Sequence, residues 1–434
     1  MSTVPTGSKT WVPAYTLFLL FVSNVFNFAD RALLGIVVDP VKAELQLSDT
    51  AMSLVSGTAF VLFNLTVGLF IARWVDHGNR KKILLIGVTL WSVATALTGL
   101  AEGFVSLAVT RMLVGIGEAT AFPVAISVIG DLFGKDRRPR ALGIYQSSAF
   151  VGVVGGSIAA GILAATYGWR NMFFICGVAG LIFVLLLGFT MKEPERGRHD
   201  TADAAGAGMR NLSQSIRHLM NVPGFPLLAL GMGVAAMAGG VLPVWAPAFL
   251  LRSHGVQLAE VGMLIAPSVG VGGISGAIAS GFMASYFTRR RGREIDSLMV
   301  PLIALPLSIP FFIAFCFAPS LLVTLIAAAI MNFLLSSGIT PCFSAAMGLA
   351  TPTTRAVAST LLLVSSGIIG AALAPLIVGA VSDNLTPQFG SESLRYALSG
   401  LMVAPLVGTA ILWMAYRRAS NSLDVPLAAG AAAE

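Results

Sequence analysis

Long apolar stretches of about 20 residues alternate with short polar segments along almost the whole chain. A helix of that length is what a chain needs to cross the ~30 Å hydrocarbon core of a bilayer. The pattern therefore predicts an all-α polytopic membrane protein with twelve transmembrane helices. We number them spans 1 to 12; they cover residues 15–38, 51–74, 83–100, 105–132, 141–166, 171–191, 224–251, 259–287, 298–317, 320–347, 357–381 and 394–416.

One long polar segment, residues 192–221, interrupts this alternation and divides the chain into two sets of six spans. We expect an N-terminal six-helix bundle in residues 1–192, a cytoplasmic linker in residues 193–222 and a C-terminal six-helix bundle in residues 223–434. These two bundles are called the first and second halves below. Within the linker, residues 212–220 either form a short amphipathic helix or remain a simple connection.

The composition excludes a soluble protein, because 56% of the residues are hydrophobic and only 11% are charged, against ~25% charged in soluble domains. The 46 glycines are scattered through apolar runs, as in closely packed membrane helices. All three cysteines fall inside spans and all four histidines fall in loops. No catalytic, metal or cofactor constellation results, so an enzyme is not expected.

The distribution of Lys and Arg predicts the orientation of the spans. On one side of the membrane the loops carry only Lys42, Arg170, Arg252 and Arg395, whereas nearly all the other basic residues fall on the side that holds both termini. By the positive-inside rule, both termini and the linker are cytoplasmic in the inner (plasma) membrane. The same bias explains the net charge of +7 without a nucleic-acid partner.

Four charged residues lie in the interior of spans of the first half, away from the span ends: Asp30 and Arg31 in span 1, and Arg111 and Glu118 in span 4. A charge at this depth costs at least ~2.5–3.5 kcal/mol and usually has a function or a partner. Arg111 and Glu118 are two helical turns apart on one face, so each is expected to face span 1. In the second half the only charged residues within the predicted spans, Glu260 and Arg395, each lie at the second residue of a span.

Asp30 and Glu118 are the only acids expected to be buried in spans, and we predict that they carry the coupled proton. With both ionised the cluster is neutral, and protonation of one leaves a net charge of +1. Arg31 and Arg111 would then attract an anionic or zwitterionic group, with Asn24 and Asn27 on the same stripe of span 1 as further contacts. The alternative is a permanent ion-pair network that only joins the two spans.

Substrate contacts in the second half are expected from four residues that lie inside spans. They are Trp245, which lies between Pro243 and Pro247 in span 7, and Asn332, Ser336 and Thr340, which form a stripe in span 10. The prolines make a bend or gate in span 7 plausible. For the polar stripe, hydrogen bonds between helices are an equally good interpretation.

The loop after span 2, "RWVDHGNRKK", and the loop after span 8, "SYFTRRRGRE", occupy equivalent places in the two halves. The first resembles the loop signature of the major facilitator superfamily, although Ala72 replaces its leading Gly and His77 replaces a usual Arg. The resemblance implies the two-bundle major facilitator fold. It also implies a conformational latch, made here by Asp76, Arg80, Lys81, Arg137 and Arg138. The alternative is that these residues only satisfy the positive-inside rule.

Within that superfamily the first half resembles the spinster branch. The resembling segments are the pair Asp30-Arg31 and the stretches "VKAELQLSDT", "WSVATALTGLA", "RMLVGIGEAT", "IGDLFGKDRRPRALGIY", "YGWRNMFF" and "KEPERGR". The second half resembles the superfamily only in general pattern. Because animal spinster proteins move lysolipids and sphingoid phosphates, the resemblance implies a related amphiphile as substrate.

These observations predict a proton-coupled secondary active transporter that works by alternating access. Its partners would be protons, the lipid bilayer and a small amphiphilic, lysolipid-like or organic-anion substrate. Within the same class, a drug or metabolite exporter or a symporter of small organic anions remains open. From a different class, a membrane sensor that binds a ligand without transporting it is the alternative.

Overall fold

Helices make up the secondary structure of the computed structural model, which describes residues 11–134, 137–196, 212–351 and 354–424; no strand occurs in these ranges. The first half contains α1 (Trp11–Ile36), α2 (Val38–Leu45), α3 (Asp49–Ser53), α4 (Phe60–His77), α5 (Arg80–Thr98), α6 (Phe104–Glu118), α7 (Ala121–Leu132) and α8 (Arg138–Thr190). The remaining helices are α9 (Leu212–Asn221), α10 (Phe225–His254), α11 (Leu258–Arg291), α12 (Met299–Phe317), α13 (Leu321–Ser336), α14 (Ile339–Leu349), α15 (Arg355–Ser365), α16 (Ala374–Phe389), α17 (Ser393–Gly400) and α18 (Val403–Asp424).

The predicted all-α membrane fold is confirmed, although the count of twelve separate spans is not. The described residues contain ten helical stretches that are long and apolar enough to cross a membrane. Two of them, Arg140–Thr190 and Val357–Ser422, run for 51 and 66 residues, which is long enough for two crossings each. Within Arg140–Thr190, Gly168 has φ 80° and ψ 159°, a backbone conformation that glycine adopts without strain. The chain turns at this residue without a polar loop.

Spans 2 and 11 each contain a π-helical segment, Leu54–Ala59 and Ser366–Leu373 respectively. The two segments pack against each other across the halves: the Thr58 hydroxyl donates to the carbonyl oxygen of Ala372 at 2.9 Å. π-Helical turns often occur at functional sites, because they redirect side chains within an otherwise regular helix. Here they lie where the two halves meet.

The hydrophobic core shows at which end the halves are joined. Residues 78–79 connect α4 to α5 at one end of the helix bundle. We call that end of the bundle the inner end, and the opposite end the outer end. Buried residues at the outer ends of the first half, such as Leu34, Val41 and Phe173, belong to one core with the second half. Residues at its inner ends, such as Leu20 and Ile129, form a separate core that contains first-half residues alone. Among the described residues, the shared core is therefore an outer-end feature.

Glycines allow the backbones of the two halves to touch at the outer end. A Cβ at Gly35 would collide with the carbonyl oxygen of Pro243, and one at Gly262 would collide with that of Ser157. Glycine packing of this kind is typical of helix interfaces in membranes. The outer end is thus closed by backbone lying directly against backbone.

The amphipathic helix predicted in the linker is confirmed as α9. Leu219 and Ser215 are buried on one face of it, whereas Arg217 and His218 are exposed on the other. The rest of the predicted linker is described only up to Arg196, and residues 197–211 lie outside the described ranges.

Candidate functional site

Two ion pairs link spans 1 and 4 inside the first half. The Nε of Arg31 in α1 donates to Oε2 of Glu118 in α6 at 2.8 Å. Nη1 of Arg111 donates to Oδ2 of Asp30 at 3.1 Å. The prediction that Arg111 and Glu118 each face span 1 is confirmed. Span 4 breaks immediately afterwards, since α6 ends at Glu118.

The two pairs differ in how far they are buried. The side chains of Asp30 and Arg111 are 6% and 2% exposed, and the Thr95 hydroxyl also donates to Oδ1 of Asp30 at 2.5 Å. In the other pair Glu118 is 0% exposed, but Arg31 is 36% exposed. Arg31 is therefore the member of the cluster that a ligand can reach most easily.

The cluster has unused hydrogen-bonding capacity. Oε1 of Glu118 and Nε of Arg111 are buried, and neither finds a hydrogen-bond partner within the described parts of the chain. A buried polar group without a partner costs about 1–3 kcal/mol, and more when it is charged. A proton on Glu118 would remove its buried charge, and an acceptor group beside Arg111 would accept a hydrogen bond from Nε.

Phe60 at the start of α4 lies against both guanidinium groups. The Cζ atom of Arg31 is 5.0 Å from its ring centre, and that of Arg111 is 5.9 Å from it. Phe28 covers Arg31 from the other side, with its ring centre 4.8 Å from Cζ. Cation–π contacts at such distances stabilise the cations without neutralising them, so the arginines remain available to an anion.

Glycines in span 4 bring neighbouring helices close to the cluster. A Cβ at Gly115 would lie 2.8 Å from the carbonyl oxygen of Phe60, and one at Gly117 would lie 2.8 Å from that of Gly87. The structure places helices against both of them.

Asn24 and Asn27 are buried behind the ion pairs. Nδ2 of Asn24 donates to the Ser148 hydroxyl at 2.8 Å, and the Tyr145 hydroxyl donates to Oδ1 of Asn24 at 3.2 Å. Nδ2 of Asn27 points to the carbonyl oxygen of Glu118 at 3.5 Å. Neither asparagine is among the residues that line the cavities described below, so their contacts hold spans 1, 4 and 5 together.

A cavity of about 280 Å³, which we call the central cavity, lies between the two halves. Arg31, Arg111 and Phe60 line it from the first half. Pro243 and Pro247 of α10 line it from the second half. Both arginines of the cluster therefore face a space that the second half closes.

A second cavity of about 460 Å³ lies within the second half. Asn332 and Ser336 of α13 line it, as predicted for substrate contacts, but most of its lining is apolar. Gly240 and Ala371 line both this cavity and the central cavity, so the two spaces adjoin. A cationic compartment thus lies next to a larger apolar one.

Two residues predicted to contact substrate lie elsewhere. Trp245 is 0% exposed, and its Nε1 donates to the carbonyl oxygen of Pro375 at 3.2 Å, so it packs between helices of the second half. Thr340 is exposed, and neither residue lines the central or the second-half cavity. In this structure neither side chain therefore faces a cavity that could hold a substrate.

Sequence analysis missed a cluster of charges at the outer end, which we call the outer clasp: Asp39, Lys42, Asp49, Arg252 and Asp383. Arg252 of the second half holds two first-half acids at once. Its Nη1 and Nη2 donate to the carboxylate of Asp49 at 2.8 and 2.9 Å, and its Nε donates to Asp39 at 2.9 Å. Lys42 approaches Asp49 to 2.5 Å. These contacts tie α2 and α3 to the end of α10.

The second half also contributes an acid to the outer clasp. The carboxylate of Asp383, in α16, accepts hydrogen bonds from the backbone nitrogens of Asp49 and Thr50 at 2.9 and 2.8 Å. A carboxylate at a helix N-terminus satisfies free N–H groups and complements the helix dipole. Each half therefore contributes an acid that the other half binds.

The outer clasp corrects one prediction. Asp30 and Glu118 were expected to be the only acids buried in spans, but Asp49 and Asp296 are both 0% exposed and lie within the first three residues of membrane-spanning stretches. Sequence analysis assigned both to loops, because each lies at a boundary. Asp49 does fall within "VKAELQLSDT", which was noted only as a point of resemblance.

Three of the basic residues predicted to form a latch, Arg80, Lys81 and Arg138, bond to groups of the first half or of the segment just after span 6. Arg80 is 0% exposed and bonds Asp131 and Glu193, two acids to which sequence analysis gave no function. Nζ of Lys81 donates to the carbonyl oxygen of Gly188 at 2.7 Å. Nη2 of Arg138 donates to that of Gly130 at 2.6 Å, and Arg137 is exposed. The side chain of Asp76 lies outside the described part of the structure.

Another interaction at the outer end joins α2 to the turn at Gly168. Nε1 of Trp169 and Nε of Arg170 donate to the carboxylate of Glu44 at 2.6 and 2.7 Å. The hydrogen bond from Arg170, followed by that from Trp169, lowers the pKa of Glu44 from its ordinary value of 4.5. This interaction is exposed and lies outside the spans.

Residues 20–375 match the sequence profile of the Major Facilitator Superfamily. The chain is 30% identical to an MFS-type efflux pump of Mycolicibacterium smegmatis, over 94% of each protein. It is also 30% identical to the protein spinster homolog 1 of Xenopus tropicalis, over 90% of this chain and 78% of that protein.

The structure is similar to the crystal structure of a bacterial homolog to the human lysosomal transporter Spinster, in an inward-facing and unoccupied conformation. The TM-score is 0.87 at 27% identity, and the match covers 96% of this chain and 99% of the other. The resemblance to the spinster branch is therefore confirmed in sequence and in fold.

Proposed function

Because the chain belongs to the Major Facilitator Superfamily, we propose that it is a proton-coupled secondary active transporter that works by alternating access. Its substrate is an amphiphile with an anionic or zwitterionic headgroup, such as a lysolipid, or a related organic anion. Residues 1–192 and 223–434 form the two moving bundles, and residues 193–222 link them. The protein lies in the inner membrane with both termini in the cytoplasm.

One observation carries this proposal: the cationic central cavity adjoins the apolar cavity of the second half. Arg31 and Arg111 line the first, and Gly240 and Ala371 belong to both. A purely hydrophilic solute would leave its polar groups unpaired against the apolar lining, at about 1–3 kcal/mol each. An amphiphile matches both compartments, with its headgroup at the arginines and its apolar part in the second half.

The two ion pairs couple proton and substrate in this scheme. An anionic headgroup at Arg31 competes with Glu118, because two negative groups would then share the single positive charge of one guanidinium. Protonation of Glu118 removes that competition, because it neutralises the carboxylate, whose Oε1 has no hydrogen-bond partner among the described residues. Asp30, held by Arg111 and Thr95, completes the charge balance of the cluster.

Alternating access requires that each end of the bundle can open in turn. The inner ends of the first half have a core of their own, and the outer clasp holds the outer ends together. We propose that this arrangement is the inward-facing state, and that opening of the outer clasp starts the reverse transition. Asp76, Arg80, Lys81, Arg137 and Arg138 serve as the inner latch in the outward-facing state.

An exporter of drugs or metabolites is the second candidate, and the similarity to the Mycolicibacterium efflux pump favours it. A symporter of small organic anions would use the same arginines but would leave the second-half cavity without a function. A membrane sensor that binds its ligand without transport would need the same cluster, but not a clasp between the halves.

Flux measurements in proteoliposomes test the proposal. Purified protein is reconstituted, a fluorescent lysophospholipid is added to one leaflet, and its arrival in the other is followed by extraction with albumin. Transport that depends on a pH gradient is expected, and vesicles without protein give the background. Specific binding of the lysophospholipid without any flux would contradict the transporter and support the sensor. Flux of a small organic anion alone would support the symporter.

A further inference from the structure

A third cavity, which we call the side cavity, lies within the first half on the far side of Asp30. It has a volume of about 260 Å³. Spans 1, 3, 5 and 6 enclose it, and its polar lining consists of Asp30, Ser92, Thr95 and Cys176. Small residues such as Gly155 and Ala179 form much of the rest. The volume corresponds to eight or nine waters at about 30 Å³ each, enough for one short chain.

Span 5 separates the side cavity from the central cavity. Val153 and Ser157 line the central cavity, whereas Val151 and Gly155 line the side cavity. At ~100° per residue, the two pairs lie on opposite faces of the helix. Val151 is 51% exposed, so the side cavity opens on the surface that faces the bilayer. A ligand would reach it from the lipid phase rather than along the transport path.

The charges that line the two cavities have opposite signs. Arg31 and Arg111 line the central cavity, whereas Asp30 is the only charged residue among the described residues that line the side cavity. Anions are therefore favoured in the first space, and groups that are positive or donate hydrogen bonds are favoured in the second. The Asp30–Arg111 ion pair forms the boundary between the two spaces.

Unused hydrogen-bonding capacity is found in the side cavity as well. The Ser92 hydroxyl is buried and finds no hydrogen-bond partner in the described ranges. The carboxylate of Asp30 accepts one bond from Thr95 and one from Arg111. An ionised carboxylate offers about four acceptor positions, so it can accept more.

We propose that the side cavity is a binding site for a hydrophobic primary amine that enters from the bilayer. The ammonium group lies at Asp30 and Ser92, and the hydrocarbon chain packs among the small apolar residues of spans 5 and 6. A bound cation competes with Arg111 for Asp30 and thereby alters the charge balance of the cluster. The site does not depend on the protein being a transporter.

Photo-crosslinking tests this proposal on the purified full-length protein. An octylamine that carries a diazirine at the end of its chain is irradiated with the protein, and labelled peptides are identified by mass spectrometry. Label is expected in spans 5 and 6 around Gly155 and Ala179. Excess octylamine should reduce it at least fivefold, and octanoate of the same chain length should not.

Two glycine substitutions provide matched variants. Gly155 lines the side cavity and a Cβ there meets no atom within 4 Å, so Gly155→Leu places a side chain where the backbone has room for its first atom. Gly239 has the same freedom but lines the second-half cavity, so Gly239→Leu is the control. Gly155→Leu should remove the label and Gly239→Leu should leave it. Asp30→Asn should abolish the preference for octylamine over octanoate.

Three results would overturn the site: no label in spans 5 and 6, equal competition by octanoate, or full labelling of Gly155→Leu. Because binding is measured without any gradient, failure here leaves the proposed transport untouched. Failure of transport would likewise leave this site standing.

Discussion

Arg252 and Asp49 are joined across the two halves by two parallel hydrogen bonds, with N–O distances of 2.8 and 2.9 Å. Two parallel bonds between a guanidinium and a carboxylate fix the relative orientation of the groups as well as their distance. Because Asp49 is fully buried, the loss of Arg252 leaves a charge without its main partner. The outer end of the protein therefore depends on this arginine to stay closed.

The first prediction follows from that pair. Arg252→Gln should open the outer end, because Asp49 and Asp39 both lose the cation of the second half that binds them, and Lys42, which stays beside Asp49, belongs to the first half. Pulsed electron paramagnetic resonance between spin labels at residues 102 and 388 should show a longer and broader distance distribution. Arg395→Gln is the control, since Arg395 pairs with Glu392 inside the second half at 2.8 Å. An unchanged distribution in Arg252→Gln would show that the outer clasp does not hold the closed state.

The second prediction concerns the coupled proton. Glu118→Gln keeps the shape of the side chain and its partner Arg31 but cannot be ionised, so transport should no longer respond to a pH gradient. The measurement is uptake into proteoliposomes with and without the gradient. Glu260→Gln, which removes an exposed acid at the start of α11, should behave like the wild type. If Glu118→Gln retained gradient-driven uptake, the proton would have to be carried elsewhere.

The third prediction concerns recognition of the headgroup. Arg111→Lys keeps the charge but loses the planar set of donors, including the Nε that has no partner among the described residues. A hydrogen bond to a charged group contributes about 1.5–3 kcal/mol, so the affinity for an anionic amphiphile should fall at least tenfold. Titration of the purified variant measures this loss. An affinity equal to that of the wild type would reduce Arg111 to a counter-ion for Asp30.

The fourth prediction concerns the apolar part of the substrate. Lysophospholipids should raise the melting temperature of the purified protein more than sugars or amino acids do. Gly239→Leu should weaken this stabilisation for long chains, because the new side chain occupies the second-half cavity. Gly155→Leu fills a different cavity and serves as the matched control. Stabilisation by sugars alone would refute the amphiphile assignment.

The fifth prediction concerns Glu44 and pH. Its pKa is lowered in the folded protein, so its bonds with Arg170 and Trp169 stabilise the fold above pH 4.5. The contribution fades as the pH falls through the lowered pKa. Glu44→Gln should therefore melt below the wild type at pH 7, and the difference should shrink below pH 4.5. A difference that stayed constant between pH 7 and pH 3.5 would contradict this interpretation.

Hydropathy was sufficient to predict the spans and the charged cluster, because both depend on residues whose cost inside a bilayer is large. It failed at helix ends. Asp49 was assigned to a loop, and its burial could not be inferred, because it results from contacts with Arg252 and Ser382, more than 200 residues away in the chain. The same limit applied to Arg80. The two acids that pair with it lie elsewhere in the chain, Asp131 at the end of span 4 and Glu193 just after span 6.

The direction of a side chain on a fully buried helix was also beyond the sequence. Trp245 and Asn332 both belong to helices that are apolar on most faces, so periodicity could not distinguish a cavity wall from a helix contact. The structure places Asn332 at the second-half cavity and Trp245 between helices. In the first half the charges removed that ambiguity, because Arg111 and Glu118 needed partners.

The glycines at the outer end should tolerate substitution much less well than glycines elsewhere in the chain. At Gly35, Gly262 and Gly379 even one added methyl group would meet backbone of the opposite half, which cannot rotate away as a side chain can. At Gly143 and Gly400, which line none of the cavities described above, the added carbon meets open space. Saturation mutagenesis scored by survival of function should therefore accept few substitutions at the first three and many at the other two. The mutagenesis data would then show the closed outer end as a set of glycines that cannot be replaced, although none of them binds a ligand.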